Sequence, residues 1–164
     1  MAGGRARAVA AQGFTLIELV ITVAIVALLA SVALPVSELA VQRTKEQELR
    51  RTLRQIRDAI DMHKQASDEG RIRKSIGDSG YPKKLEDLAD GVDDQKSPKK
   101  EKIYFLRRVP RDPLNADPTL SAAATWGKRS YASPPDDPRE GDDVFDVFSL
   151  ASGKGINGQP YRDW

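Results

Sequence analysis

Few residues in this 164-residue chain could carry out chemistry. It has no cysteine and one histidine, His63. That composition excludes disulfide scaffolds, thiolate zinc sites, cysteine nucleophiles and multi-histidine metal clusters. A Ser-His-Asp triad would have to use His63, which follows Ile56 and Ile60 at helical spacing and reads as a histidine at the edge of a core. Gly153-Lys154-Gly155 lacks the spacing and the following Ser or Thr of a phosphate loop. No catalytic constellation emerges, so the chain reads as a non-enzyme. Two features remain. One is an acid-rich run at 136–146, with six carboxylates (Asp136, Asp137, Glu140, Asp142, Asp143, Asp146) and one base, Arg139. It reads either as a solvated loop or as a source of oxygen ligands for Ca2+. The other is Glu18, one carboxylate inside an otherwise apolar run.

That run, FTLIELVITVAIVALLASVALPV, covers residues 14–36. As a helix rising about 1.5 Å per residue, it is long enough for a bilayer core of roughly 30 Å. Arg5 and Arg7 precede it with no acid. The positive-inside rule keeps that end in the cytoplasm and sends residues 37–164 across the membrane. A secretory signal peptide ending at Ser31-Val32-Ala33 is the competing reading. Against it stand the length of the run and the position of Glu18. A charged carboxylate in hydrocarbon costs on the order of 2.5–3.5 kcal/mol, so it needs an interface or a cation. A cut between Gly13 and Phe14 would create an ammonium just over one helical turn from Glu18. It would also remove Arg5 and Arg7, leaving 24 bases against 24 acids.

Gly13-Phe14-Thr15-Leu16-Ile17-Glu18-Leu19 resembles the class III leader junction of type IV pilins and type II secretion pseudopilins. The resemblance implies that a prepilin peptidase cuts after Gly13 and methylates the new amino-terminal Phe14, and it gives Glu18 a role in assembly. Pro35 falls where pilins commonly carry a helix-kinking proline.

The elements that must position these residues follow in order. Leu39, Leu49, Leu53, Ile56 and Ile60 form a one-sided apolar stripe, with 4-3-4 spacing from Leu49, in a helix predicted to continue to about residue 66. A coiled coil is the alternative, weakened by heptad gaps around 42–47. Asp68-Glu69-Gly70 ends the helix. Leu85 and Leu88 suggest a short helix over 83–89, residues 93–102 read as a polar linker, and 103–109 as a short strand. Residues 126–133 and 144–150 read as antiparallel strands joined through the Pro-Pro-Asp-Asp-Pro turn at 134–138. The segment 92–111 carries seven bases and three acids, opposite in sign to 136–146, and such patches could orient neighbouring subunits. Overall, 26 bases and 24 acids nearly cancel. The single Ser97-Pro98-Lys99-Lys100 reads as a solvated loop, so no nucleic-acid partner is expected.

Gly80-Tyr81-Pro82, Arg108-Val109-Pro110-Arg111-Asp112-Pro113, Phe145-Asp146-Val147-Phe148-Ser149 and the final Trp164 are similar to the G-type major pseudopilins of type II secretion. This resemblance implies an α+β lollipop: a long amino-terminal helix, its first half spanning the membrane, packed on a small antiparallel sheet. The organisation expected is a prepilin leader (1–13), a transmembrane and assembly helix (14–36), an amphipathic helix (37–66) and a periplasmic globular head (67–164). The implied role is a structural subunit of a periplasmic pilus-like fibre that drives protein secretion. It would be held as a single-pass protein of the bacterial inner membrane, with copies of itself, minor pseudopilins, the prepilin peptidase and an inner-membrane assembly platform as partners. A type IV pilus subunit for adhesion, motility or DNA uptake is the alternative. The resemblance also implies a calcium loop near the carboxy terminus, for which Asp146, Ser149, Asn157 and Asp163 are the candidate ligands. The chain departs from the pattern there, because residues 157–164 carry only Asp163 as an acid, and again after Pro113, where Leu114-Asn115-Ala116 replaces a Trp-Gly.

Overall fold

The computed structural model describes residues 13–99 and 101–164, with residues 32–35 described by backbone alone. Arg5, Arg7 and the rest of 1–12, Lys100 of the Ser-Pro-Lys-Lys element, and the side chains of Val32, Ala33 and Pro35 lie outside the described residues. The fold is α+β, as expected: one long amino-terminal helix, α1 (Leu16–Asp68), and two small antiparallel sheets. Internal contacts divide the chain between Val41 and Gln42.

In the first unit, residues 13–41, helix α1 begins at Leu16 and every described side chain is exposed. Leu39, which shares the apolar spacing, is 49% exposed and belongs to this exposed stretch. The helix is continuous through position 35. It holds the one stretch among the described residues that is long and apolar enough to cross a membrane.

The second unit, Gln42–Trp164, is organised by the outer part of α1. Leu49, Leu53, Ile56 and Ile60 are at most 2% exposed and meet Leu85, Leu88, Trp126, Val144, Val147 and Tyr161 in one core. The stripe is wider than its aliphatic residues: Glu46, Thr52, Ala59, His63, Ala66 and Ser67 are buried along it at three- and four-residue steps. Helix α1 stops in a Schellman motif. Gly70 takes φ +71°, its N–H bonds the Ser67 carbonyl (3.0 Å), and the Arg71 N–H bonds the Ala66 carbonyl (2.9 Å).

Helix α2 (Asp87–Asp90) is one turn: it starts four residues later than the 83–89 expected, with no side-chain cap at Glu86, and Gly91 (φ +77°) closes it after Asp90. The polar linker expected over 93–102 is closed at its two ends by an antiparallel pair, β1 (Val92–Asp93) with β2 (Lys102–Ile103). The expected strand over 103–109 is confined to its first residue. Strands β3 (Trp126–Arg129) and β4 (Asp146–Ser149) pair antiparallel, Trp126 opposite Ser149 and Arg129 opposite Asp146. Their connection is longer than a tight turn. Residues 130–145 fold back through Ser130 N–H to the Arg139 carbonyl (2.9 Å) before Phe145 N–H rejoins the Arg129 carbonyl (2.8 Å).

Candidate functional site

At the amino-terminal junction, Gly13, Phe14 and Thr15 lie outside the helix, and Phe14 is 84% exposed. The helix then starts in a capping box. Thr15 Oγ1 accepts from the Glu18 N–H (3.3 Å), while Glu18 Oε2 accepts from the Thr15 N–H (2.9 Å) and the Thr15 hydroxyl (2.8 Å). The carboxylate that is costly in an apolar run is thereby supplied with two donors from within its own turn. The run's other polar side chains are treated likewise. The Thr22 hydroxyl donates to the Glu18 and Leu19 carbonyls (2.8 and 2.9 Å), and the Ser31 hydroxyl to the Leu28 carbonyl (2.7 Å). Each of the four polar side chains between residues 14 and 36 is thus hydrogen-bonded inside the helix, the condition for placing them in lipid. Attention to the charge of Glu18 alone misses Thr15. The signal was present as the Thr-x-x-Glu spacing at 15–18.

The four candidate calcium ligands lie in the second unit and are already engaged. Asp146 Oδ1 accepts from Arg57 Nε at 2.8 Å, and Arg129 Nη2 stands 3.4 Å from Asp146 Oδ2. The Ser149 hydroxyl donates to Oδ2 of the buried Asp112 (2.5 Å). Asn157 Oδ1 accepts from the Gln159 N–H (3.1 Å) and its amide donates to Gln159 Oε1 (3.0 Å). Asp163, in the 3-10 turn Tyr161–Asp163, faces Arg162 at 3.9 Å. Among the described residues no group of three or more His, Cys, Asp or Glu side chains converges as a metal set. The residues present do not fit a calcium ion. The two oxygens of Asp146 face the Arg57 and Arg129 guanidinium groups.

What holds the carboxy-terminal loop is spread along α1. Glu46 Oε1 accepts from the Ile156 N–H (2.9 Å), the Tyr161 hydroxyl (3.0 Å) and the Gln42 amide (2.9 Å). Eleven residues further along, Arg57 reaches the Val147 carbonyl (3.1 Å) and the Trp164 main-chain oxygen (2.7 Å) in addition to Asp146. The Trp164 ring packs edge-on to Tyr161, with centroids 5.2 Å apart, and carries the Arg50 guanidinium 4.3 Å from its own centroid. Glu46, Arg50 and Arg57 gave no sequence signal beyond being polar residues on a helix.

The acid-rich run is tied to neighbouring groups. Asp137 pairs with Arg139 and Glu140 with Lys128. Asp143 accepts from the Tyr131 N–H (2.8 Å) and the Ser79 hydroxyl. His63 is 5% exposed, with Nδ1 at 3.2 Å from the Gly80 carbonyl and its ring 5.3 Å from Phe105. Burial depresses its pKa below the ordinary histidine value, partly offset by the Gly80 bond and by Asp87. The basic loop at 108–113 is pinned where β3 begins: Trp126 Nε1 donates to the Pro110 carbonyl (2.8 Å), and the Asp112 N–H to Oγ1 of Thr125, the residue before the strand (3.1 Å).

With this geometry in view, the comparisons are specific at one end of the chain. The prokaryotic N-terminal methylation motif matches residues 10–34, which contain the exposed Gly13–Phe14 segment, the capping box and most of the apolar run. This match supports a type IV pilin-like protein, a membrane-anchored structural subunit of a pilus or pseudopilus that is processed by a prepilin peptidase. No curated protein and no solved structure matches the chain.

Proposed function

We propose that the chain is a pseudopilin, the repeating subunit of a periplasmic pilus-like fibre that drives type II protein secretion. The observation that carries this reading is the methylation motif laid over an exposed, non-helical Gly13–Phe14 bond that immediately precedes a capped apolar helix. A peptidase needs extended backbone at the scissile bond, and the capping box keeps helix from spreading into it. In this reading residues 1–13 are the leader, 14–36 the transmembrane and assembly segment, 37–66 the amphipathic helix and 67–164 the periplasmic head. Phe14 is N-methylated after cleavage, and its ammonium is met by Glu18 of a neighbouring subunit within the low-dielectric fibre core. The resemblance of Gly80–Pro82, Arg108–Pro113 and Phe145–Ser149 to G-type pseudopilins favours secretion over a surface pilus.

Mass spectrometry of the mature amino terminus tests processing: N-methyl-Phe14 is expected, and a terminus at Leu34 or Val36, or an intact Met1, overturns it. Deleting the gene tests the role. Loss of exported proteins from the medium with surface filaments intact supports the secretion fibre. Loss of surface filaments with export intact replaces it with a type IV pilus subunit.

A further inference from the structure

We propose that the Arg57 guanidinium serves this head as a built-in cation, fastening the carboxy-terminal loop and β4 to helix α1 in place of a bound metal ion. Its oxygen set is what a hard divalent cation would collect: one carboxylate oxygen, Asp146 Oδ1, and the main-chain oxygens of Val147 and Trp164, at 2.8, 3.1 and 2.7 Å. Three segments far apart in sequence, the helix, β4 and the last residues, therefore meet at one planar cation. A guanidinium suits this task because its donors are fixed in a fork and it stays charged at every accessible pH.

The surroundings leave little for a free ion. Arg129 approaches the second Asp146 oxygen at 3.4 Å, and the cleft beside them is lined by Arg57, Arg129 and Arg162 against Asp136, Asp146 and Asp163. A calcium ion entering there would have to take Asp146 from two guanidinium groups, in a cleft whose three carboxylates are already matched by three guanidinium groups. Ser149 and Asn157 are equally committed, the first to buried Asp112 and the second to Gln159. The inference concerns the second unit alone and does not depend on the fibre reading.

The test is thermal unfolding of the full chain in detergent, followed by tryptophan fluorescence in millimolar calcium chloride and in chelator. The two wild-type curves should coincide. Arg57→Gln should lower the midpoint by roughly 4 °C or more in both media, and Arg57→Lys, a point charge without the fork, by less. A wild-type midpoint several degrees higher in calcium than in chelator overturns the proposal. So does an Arg57→Gln midpoint equal to wild type. Should Arg57→Gln not fold, calorimetric titration of calcium chloride into the wild-type chain still decides: absence of saturable heat supports the guanidinium, and stoichiometric binding refutes it.

Discussion

The Tyr161 hydroxyl donates to Glu46 Oε1 at 3.0 Å while accepting from the Gln42 amide at 3.1 Å, so one phenol joins the first turns of the second unit's helix to a turn 115 residues away. Glu46 is 7% exposed and Tyr161 7%. Removing the hydroxyl leaves a buried carboxylate short of a donor, which typically costs about 1–3 kcal/mol. Tyr161→Phe should therefore lower the melting midpoint, while Glu46→Gln, which keeps an acceptor oxygen, should cost less. Circular dichroism melts of the three proteins rank them, and an unchanged Tyr161→Phe midpoint would show the bond to be dispensable.

Stability should depend on His63 at mildly acidic pH. Burial holds its folded-state pKa below the ordinary 6.5, so the unfolded chain binds the proton first as pH falls. The contribution of the neutral ring is complete above 6.5 and is lost as pH drops from there through the folded-state value. The slope attributable to one such group is at most about 1.4 kcal/mol per pH unit. Denaturant titrations between pH 7 and 5 should show wild type losing more stability than His63→Gln. Parallel losses would mean that carboxylates alone set the acid response.

The carboxy-terminal loop should tolerate alanine unequally at two glycines. A Cβ on Gly155 would lie 2.3 Å from Trp164 Cζ2 and 2.8 Å from Asn157 Oδ1, so the indole must leave its place between Arg50 and Tyr161. Gly158 has φ +80° with open space around it, and alanine there adds only backbone strain of about 1 kcal/mol. Gly155→Ala should be the more destabilising and should shift the tryptophan emission to longer wavelength, with Gly158→Ala leaving it in place. The reverse order would mean that the indole is not held as described.

Glu18→Gln separates the two tasks assigned to this carboxylate. Glutamine completes a capping box as glutamate does, so helix content and membrane insertion should match wild type. The negative charge is gone, and with it the attraction for an incoming subunit's ammonium. Fibre yield at equal protein level should fall roughly tenfold or more, the equivalent of about 1.4 kcal/mol of pairing energy. Wild-type yield from Glu18→Gln would remove the ion pair from the assembly mechanism and leave capping as the role of Glu18.

How far the sequence alone reaches depends on the range of the interaction. The 4-3-4 spacing from Leu49 to Ile60 identifies the buried face of α1, because a helix's own period dictates which residues share a side. The alternation through Asp146-Val147-Phe148-Ser149 likewise marks β4, with Val147 and Ser149 inward. Leu39 shares the apolar spacing yet is exposed, because spacing says which face a residue shares and nothing about whether anything packs on it. The β1–β2 pair escapes notice because two residues per strand, half of them charged, are too short to show alternation. The carboxy-terminal fastening is the least accessible. Arg57 meets its partners 89 to 107 residues away, and no local pattern distinguishes it from Arg54 or Arg51. The resemblance that suggests calcium is drawn from residues around that fastening, and they carry no record of which cation the fold uses.

The capping box has a consequence for maturation. Both halves of it, Thr15 and Glu18, lie downstream of the Gly13–Phe14 bond. The proposed excision of residues 1–13 should therefore leave the secondary-structure boundary where it is, with precursor and product beginning their helix at the same residue, stabilised by the same atoms. Processing would then replace a neutral amide by an ammonium at a fixed mechanical edge. Precursor and processed subunit would be the same folded object from Thr15 onward, told apart by what is attached to the Phe14 nitrogen.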